Sequence, residues 1–156
     1  MTEKSAATDP DAGASGTAGA PVAVAAWFLE SLAARDGRAA MDLVDEYIVY
    51  TNVGLATVRG ERRMRTVVDL LCRPGIGFGV HTISAAADGE TVLTERIDEI
   101  RLGRLRMRFW VCGKFVVRGG RITLWRDYFD FFDCTKAFLR ALAGLVSPSL
   151  NRPMPG

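Results

Sequence analysis

Three short stretches of the chain carry polar side chains of types that could activate water and protonate a leaving oxygen. Tyr50 and Asn52 lie in the run EYIVYTNV (Glu46 to Val53), Arg96 and Asp98 in TERID (Thr94 to Asp98), and Asp127 in WRDYFD (Trp125 to Asp130). Two carboxylates with an arginine between them can form an acid–base unit. One carboxylate is ionised and takes a proton while the other is protonated and gives one up, provided that their surroundings separate their pKa values. The arginine favours an ionised partner, and two carboxylates close together resist joint ionisation. A phenol and an amide can fix one water in two directions. The same residues are equally compatible with a structural ion-pair network tying strands together, because a buried carboxylate is costly unless paired. Residue types alone do not choose between these readings.

Other chemistries have less to work with. His81 is the only histidine and sits in a strand-like Val-His-Thr-Ile run, which reads as structural. Cys72, Cys112 and Cys134 are scattered with no CxxC spacing, so they read as reduced thiols of a cytoplasmic protein; with one histidine they leave little for zinc, and no metal or cofactor is expected. Twenty basic residues against 18 acidic ones give a net charge of +2 in 156 residues, which argues against a nucleic-acid partner. The arginines at 59, 62, 63 and 65, and at 101, 104, 106 and 108, read as solvated faces. No stretch reaches the ~18 uninterrupted apolar residues of a membrane span.

The elements that must position the polar groups can be read from periodicity. Residues 1–20, rich in Ala, Gly, Ser and Thr, read as a disordered tail, and residues 151–156 as a C-terminal tail; one domain is expected over 21–150. A helix is expected from Pro21, with Val24, Trp27, Phe28 and Leu32 as its apolar stripe and Gly37 as its stop. A short helix follows over 38–44, then a strand over 46–53. A third helix opens at Gly60, with Met64, Val67, Val68 and Leu71 in an i, i+3, i+4, i+7 stripe. Four strands are expected over 78–87, 91–102, 105–117 and 121–132, separated by Asp88-Gly89, Gly103 and Gly119-Gly120. A last helix should span 135–145. Its apolar segment Phe138 to Val146 could close the fold or pair subunits. The sum is an α+β chain whose curved mixed or antiparallel sheet forms a cone-shaped barrel against N-terminal helices, a natural small-molecule pocket.

Side-chain parity then assigns faces. In 105–117 the odd positions are apolar and the even ones carry Arg106, Arg108 and Lys114, so the odd face is inward. In 91–102, Val92, Thr94, Arg96, Asp98 and Ile100 share a face. The other face carries Glu95 and Glu99, which look exposed, so Arg96 and Asp98 point inward. In 121–132, Trp125, Asp127, Phe129 and Phe131 share one face, but Leu124 and Tyr128 leave the opposite choice open. The expected apolar wall is Val53, Leu55, Ile100, Met107, Phe109, Val111, Trp125 and Phe129, each of which could equally be plain core.

In this order and at this spacing, Tyr-x-Asn, Arg-x-Asp within TERID, and WRDYFD resemble limonene-1,2-epoxide hydrolases. The likeness is greatest to an actinobacterial branch carrying FWVCG, here Phe109 to Gly113, and it runs from about Pro21 to Leu150. The resemblance implies the cone-shaped fold shared with nuclear transport factor two and ketosteroid isomerase. It implies Asp127 as general base, Asp98 as general acid, Arg96 as the bridge between them, and Tyr50 and Asn52 as holders of the attacking water. It also implies a lipophilic epoxide as substrate, no cofactor, and a homodimer. An isomerase or cyclase of the same fold acting on a steroid- or polyketide-like substrate would not require Arg96 or the Tyr50/Asn52 pair. A non-catalytic lipophile-binding cone would need no inward polar groups at all.

Overall fold

The computed structural model describes residues 14–147 together with 149 and 154, and side chains from Ala20 onward. The first helix, α1 (Ala14–Ala33), begins before Pro21, which lies inside it. Pro21 leaves the Thr17 carbonyl without its intrahelical donor. Of the expected tail, residues 1–13 lie outside the described residues, as does the C-terminal tail apart from Met154. The buried stripe of α1 is Ala25, Phe28, Leu29 and Leu32; Phe28 and Leu32 lie inside as expected, and Val24 is partly buried against the core. Trp27, expected inside, is 63% exposed; small Ala25 takes the inward position beside Phe28.

A short α2 (Gly37–Asp42), capped by the Asp36 carboxylate on the Ala39 N–H, leads into β1 (Val44–Asn52). A two-residue strand β2 (Val58–Arg59), which periodicity did not suggest, pairs back on β1 before α3 (Glu61–Leu71). Then come β3 (Ile76–Asp88), β4 (Thr91–Leu102), β5 (Leu105–Arg118) and β6 (Arg121–Tyr128), and finally α4 (Phe131–Val146). The last strand is four residues shorter than expected. Asp130 ends it by accepting the Phe132 N–H at 2.7 Å, a helix N-cap that starts α4 early and puts Phe131 on a helix rather than on the inner sheet face.

The six strands form one mixed sheet in the order β2-β1-β6-β5-β4-β3, antiparallel throughout except for the parallel pair β1–β6. Helix α1 lies against one face, and Phe28 packs edge-on to both Phe115 and Trp125 at the centre of the core. On β4 the inward set Val92, Thr94, Arg96 and Asp98 is buried, and on β5 the set Val111, Phe115 and Val117 is buried. Glu99, expected to be exposed, is 3% exposed, because Arg108 from β5 and Arg101 cover its carboxylate on the outer face. Helix α4 packs on β5 through the small stripe Ala137, Ala141 and Gly144.

Candidate active site

The parallel pairing of β1 with β6 sets Tyr50 opposite Trp125 and Asn52 opposite Asp127. Residues directly opposite on adjacent strands point to the same face, so all four side chains meet inside. The Tyr50 ring lies on Trp125 with centroids 4.3 Å apart. The Asn52 amide Nδ2 donates to the Tyr50 hydroxyl at 2.8 Å, and the Asp127 carboxylate accepts the Trp125 indole N–H through Oδ1 at 2.8 Å.

Arg96 comes from β4 and is fully buried. Its Nε donates to Asp98 Oδ1 at 2.9 Å and its Nη2 to Asp98 Oδ2 at 3.2 Å, a bidentate pair within one strand. The same Nη2 lies 2.6 Å from Asp127 Oδ2 on β6, and Nη1 donates to the Thr94 hydroxyl at 3.0 Å. One guanidinium therefore bridges two carboxylates, each only 4% exposed.

Burial pushes the Asp98 carboxyl up, the negative charge of Asp127 adds to the rise, and Arg96 opposes it; the result is a pKa of about 6. Burial also pushes Asp127 up, held back by the charge and hydrogen bond of Arg96 and by the Trp125 N–H. Burial would lower the Arg96 guanidinium, but its two carboxylates outweigh burial and keep it charged. The Tyr50 phenol is raised by burial and by Asp127, so it stays a neutral O–H.

These groups open on a cavity of about 190 Å³. Tyr50, Asn52, Asp98 and Asp127 supply its polar lining, and Ile100, Phe109, Val111, Trp125 and Phe129 line it as expected from parity. Three expected wall residues do not. Val53 and Leu55 fall beyond the end of β1 in an exposed loop, 40% and 54% exposed. Met107 pairs with Ile100 toward the β4–β5 turn and is not among the lining residues. Conversely, Val67, Leu70 and Leu71 of α3 and Phe78 of β3 form a wall that was not anticipated. The signal for Val67 and Leu71 was present in the apolar stripe of α3, which reads as plain core when no partner is known. Two further contributions had no sequence signal of their own: the Trp125 indole as a donor to Asp127, and the Thr94 hydroxyl under Arg96. Among the described residues no three His, Cys, Asp or Glu side chains gather to hold a metal ion.

The family model for the limonene-1,2-epoxide hydrolase catalytic domain matches residues 19–140. The chain belongs to the limonene-1,2-epoxide hydrolase family. It is 46% identical over 124 residues to epoxide hydrolase EphG of Mycobacterium tuberculosis, covering 80% of this chain and 83% of that protein. A solved structure of an M. tuberculosis epoxide hydrolase of this type superposes with a TM-score of 0.85 at 42% identity, over 88% of this chain and 97% of that one. This limonene-1,2-epoxide hydrolase family member is thus an epoxide hydrolase. An NTF2-like protein of unknown function from Cytophaga hutchinsonii shares the fold alone, with a TM-score of 0.58 at 18% identity over 70% of this chain and 89% of that one. The α+β fold is therefore NTF2-like, as expected.

Proposed function

We propose that the enzyme converts a lipophilic epoxide to a vicinal diol in one step, without a covalent enzyme intermediate. The observation that carries this reading is the single guanidinium of Arg96 shared by Asp98 and Asp127 beside a largely apolar cavity. Asp127 acts as general base. A water held by Tyr50, Asn52 and Asp127 attacks one epoxide carbon, and its proton passes to Asp127 as the new C–O bond forms. The old C–O bond breaks, and Asp98 gives its proton to the departing oxygen. Return of the proton from Asp127 to Asp98 resets the site, so one epoxide and one water become one diol. Ring strain favours opening, but the departing alkoxide is strongly basic and water is a weak nucleophile, so both an acid and a base are required. Fixing the water in line with the carbon contributes through orientation. Burial raises both carboxyls and Arg96 opposes the rise on both; the charge of Asp127 raises Asp98 further, and the Trp125 N–H favours the ionised form of Asp127, which supports the division of labour.

A single turnover in ¹⁸O-water tests the reading. Label should appear first in the diol, and Asp127→Asn and Asp98→Asn should each remove nearly all turnover with the fold intact. Label entering an enzyme carboxylate, or full activity in either variant, would sink it. Three unpaired thiols, Cys72, Cys112 and Cys134, fit the reducing cytoplasm. The chemistry fits detoxification, since a reactive epoxide leaves as an unreactive diol. Exposed Phe138, Leu142 and Leu145 form an apolar stripe on α4 suited to a homodimer contact; sedimentation should give twice the chain mass, and a monomer at all concentrations would refute the dimer.

A further inference from the structure

Arg96 stands on β4 and Asp127 on β6, and β5 runs between them. The residue of β5 at the crossing is Gly113, which pairs with Thr94 on one side and with Asp127 on the other. A Cβ at Gly113 would overlap Arg96 Nη1 outright, and would lie 2.6 Å from Thr94 Oγ1 and 3.1 Å from Asp127 Oδ1. Backbone conformation does not call for glycine there, since Gly113 is not among the residues with positive φ. Its neighbours on the same face, Val111 and Phe115, are full-sized and buried. The inner face of β5 thus lacks a side chain at the point where the guanidinium crosses.

Thr94 forms the other wall of this gap. Its hydroxyl donates to the Gly113 carbonyl at 3.4 Å, which leaves a lone pair to accept the Arg96 Nη1 hydrogen at 3.0 Å. The contact is buried, with Thr94 6% exposed. Neither Thr94 nor Gly113 lines the substrate cavity.

We propose that Gly113 and Thr94 are positioning residues that form a slot across β5 and hold Arg96 where it can bridge the carboxylates of two other positions in the sheet. This rests on the assignment of Asp127 and Asp98 as base and acid. Arg96 is what opposes the upward push of burial on both carboxylates, so a displaced guanidinium changes their protonation rather than the binding of substrate. The slot therefore acts on kcat and its pH dependence, and leaves KM alone.

The test compares Thr94→Val, Thr94→Ser and Gly113→Ala on a soluble model epoxide, with circular dichroism to report folding. Thr94→Val keeps the shape of the side chain and removes the acceptor. Its kcat should fall about 10- to 100-fold, the value of a hydrogen bond to a charged group. KM should be unchanged, and the acidic limb of the kcat profile should move to higher pH. Thr94→Ser should restore kcat and the profile. Gly113→Ala, where folded, should lose at least as much kcat as Thr94→Val; if it does not fold, the Thr94 pair alone decides. A folded Thr94→Val or Gly113→Ala enzyme with wild-type kcat and pH profile overturns the proposal, as does a change confined to KM. An inactive Asp127→Asn beside a fully active Thr94→Val would remove the slot and keep the acid–base reading. An active Asp127→Asn would remove the acid–base reading itself.

Discussion

Replacing Asp98 with Asn should flatten the dependence of stability on pH. Asp98 is 4% exposed. Burial and the neighbouring charge of Asp127 raise its carboxyl from 3.8 to about 6 in the folded protein. Between those two values the native state holds a proton that the unfolded chain has released. Stability from this group is therefore fully present below the unfolded pKa and is lost as pH rises through the folded one. A rise of roughly two units corresponds to about 3 kcal/mol, most of it lost between about pH 4 and pH 7. Asn cannot ionise, so the variant has no such slope. It also offers Arg96 one acceptor where Asp offers two, which shifts stability by about 1–3 kcal/mol at all pH values. The diagnostic is therefore the slope rather than the level. Urea unfolding followed by tryptophan fluorescence from pH 4 to pH 8 would measure both proteins. The gap between them should close, or change sign in favour of Asp98→Asn, by about 3 kcal/mol across the range. Parallel curves for the two proteins would refute the reasoning.

The same proton should appear in catalysis: with Asp98 as the proposed general acid, kcat/KM is expected to fall as pH rises through about 6, where Asp98 loses its proton. A profile flat to pH 9 would contradict this. Trp125→Phe keeps a ring against Phe115 and Tyr50 but removes the N–H on Asp127. The acidic limb of kcat/KM should move up by about one pH unit, since a hydrogen bond to a charged group has been lost; an unmoved limb would show that the indole does not tune the base. Val67→Phe, on the α3 wall, should shift discrimination toward small epoxides by at least about 10-fold, the scale of a methylene-sized misfit in an apolar pocket. Unchanged kcat/KM ratios between bulky and small epoxides would remove α3 from the substrate wall.

The strands were the most legible part of the chain. β4 runs over the expected residues because Gly89 and Gly103 bracket a clear alternation, and parity put Arg96 and Asp98 on its inner face. Parity is a statement about one strand, however. It does not say which strand lies beside which, so the pairing of Asn52 with Asp127 was out of reach: it comes from a parallel contact between the first long strand and the last. Parity also fails at irregularities. On β6 both Ile122 and Trp125 are buried, an even and an odd position, because the ladder with β5 shifts between Val116 and Val117. Burial by long side chains is equally invisible to it. Glu99 faces outward as its position dictates and is still buried, because two arginines lie over it. Trp27 shows the opposite error, since its size suggests core but its angular position on α1 leaves it in solvent.

The choice left open by residue types, between a working acid–base unit and a structural ion-pair network, can be argued from the contrast between the two faces of the sheet. On the outer face Glu99 is one carboxylate with two cations, Arg101 and Arg108, whose side chains are 36% and 17% exposed. Cations exceed anions there, the charges reach toward solvent, and neither glutamate oxygen faces the cavity. On the inner face the ratio is reversed. Arg96 is one cation for two carboxylates, all three are buried, and both carboxylates line a cavity. A network that served only to hold strands together would gain by balancing its charges, because an uncompensated buried charge costs several kcal/mol. The inner site leaves one negative charge uncompensated when both aspartates are ionised; burial, opposed by Arg96 and reinforced by the charge of Asp127, brings Asp98 to a pKa of about 6. An arrangement that is poor for stability and suited to holding one transferable proton near neutrality supports the catalytic reading of Arg96, Asp98 and Asp127 over the structural one.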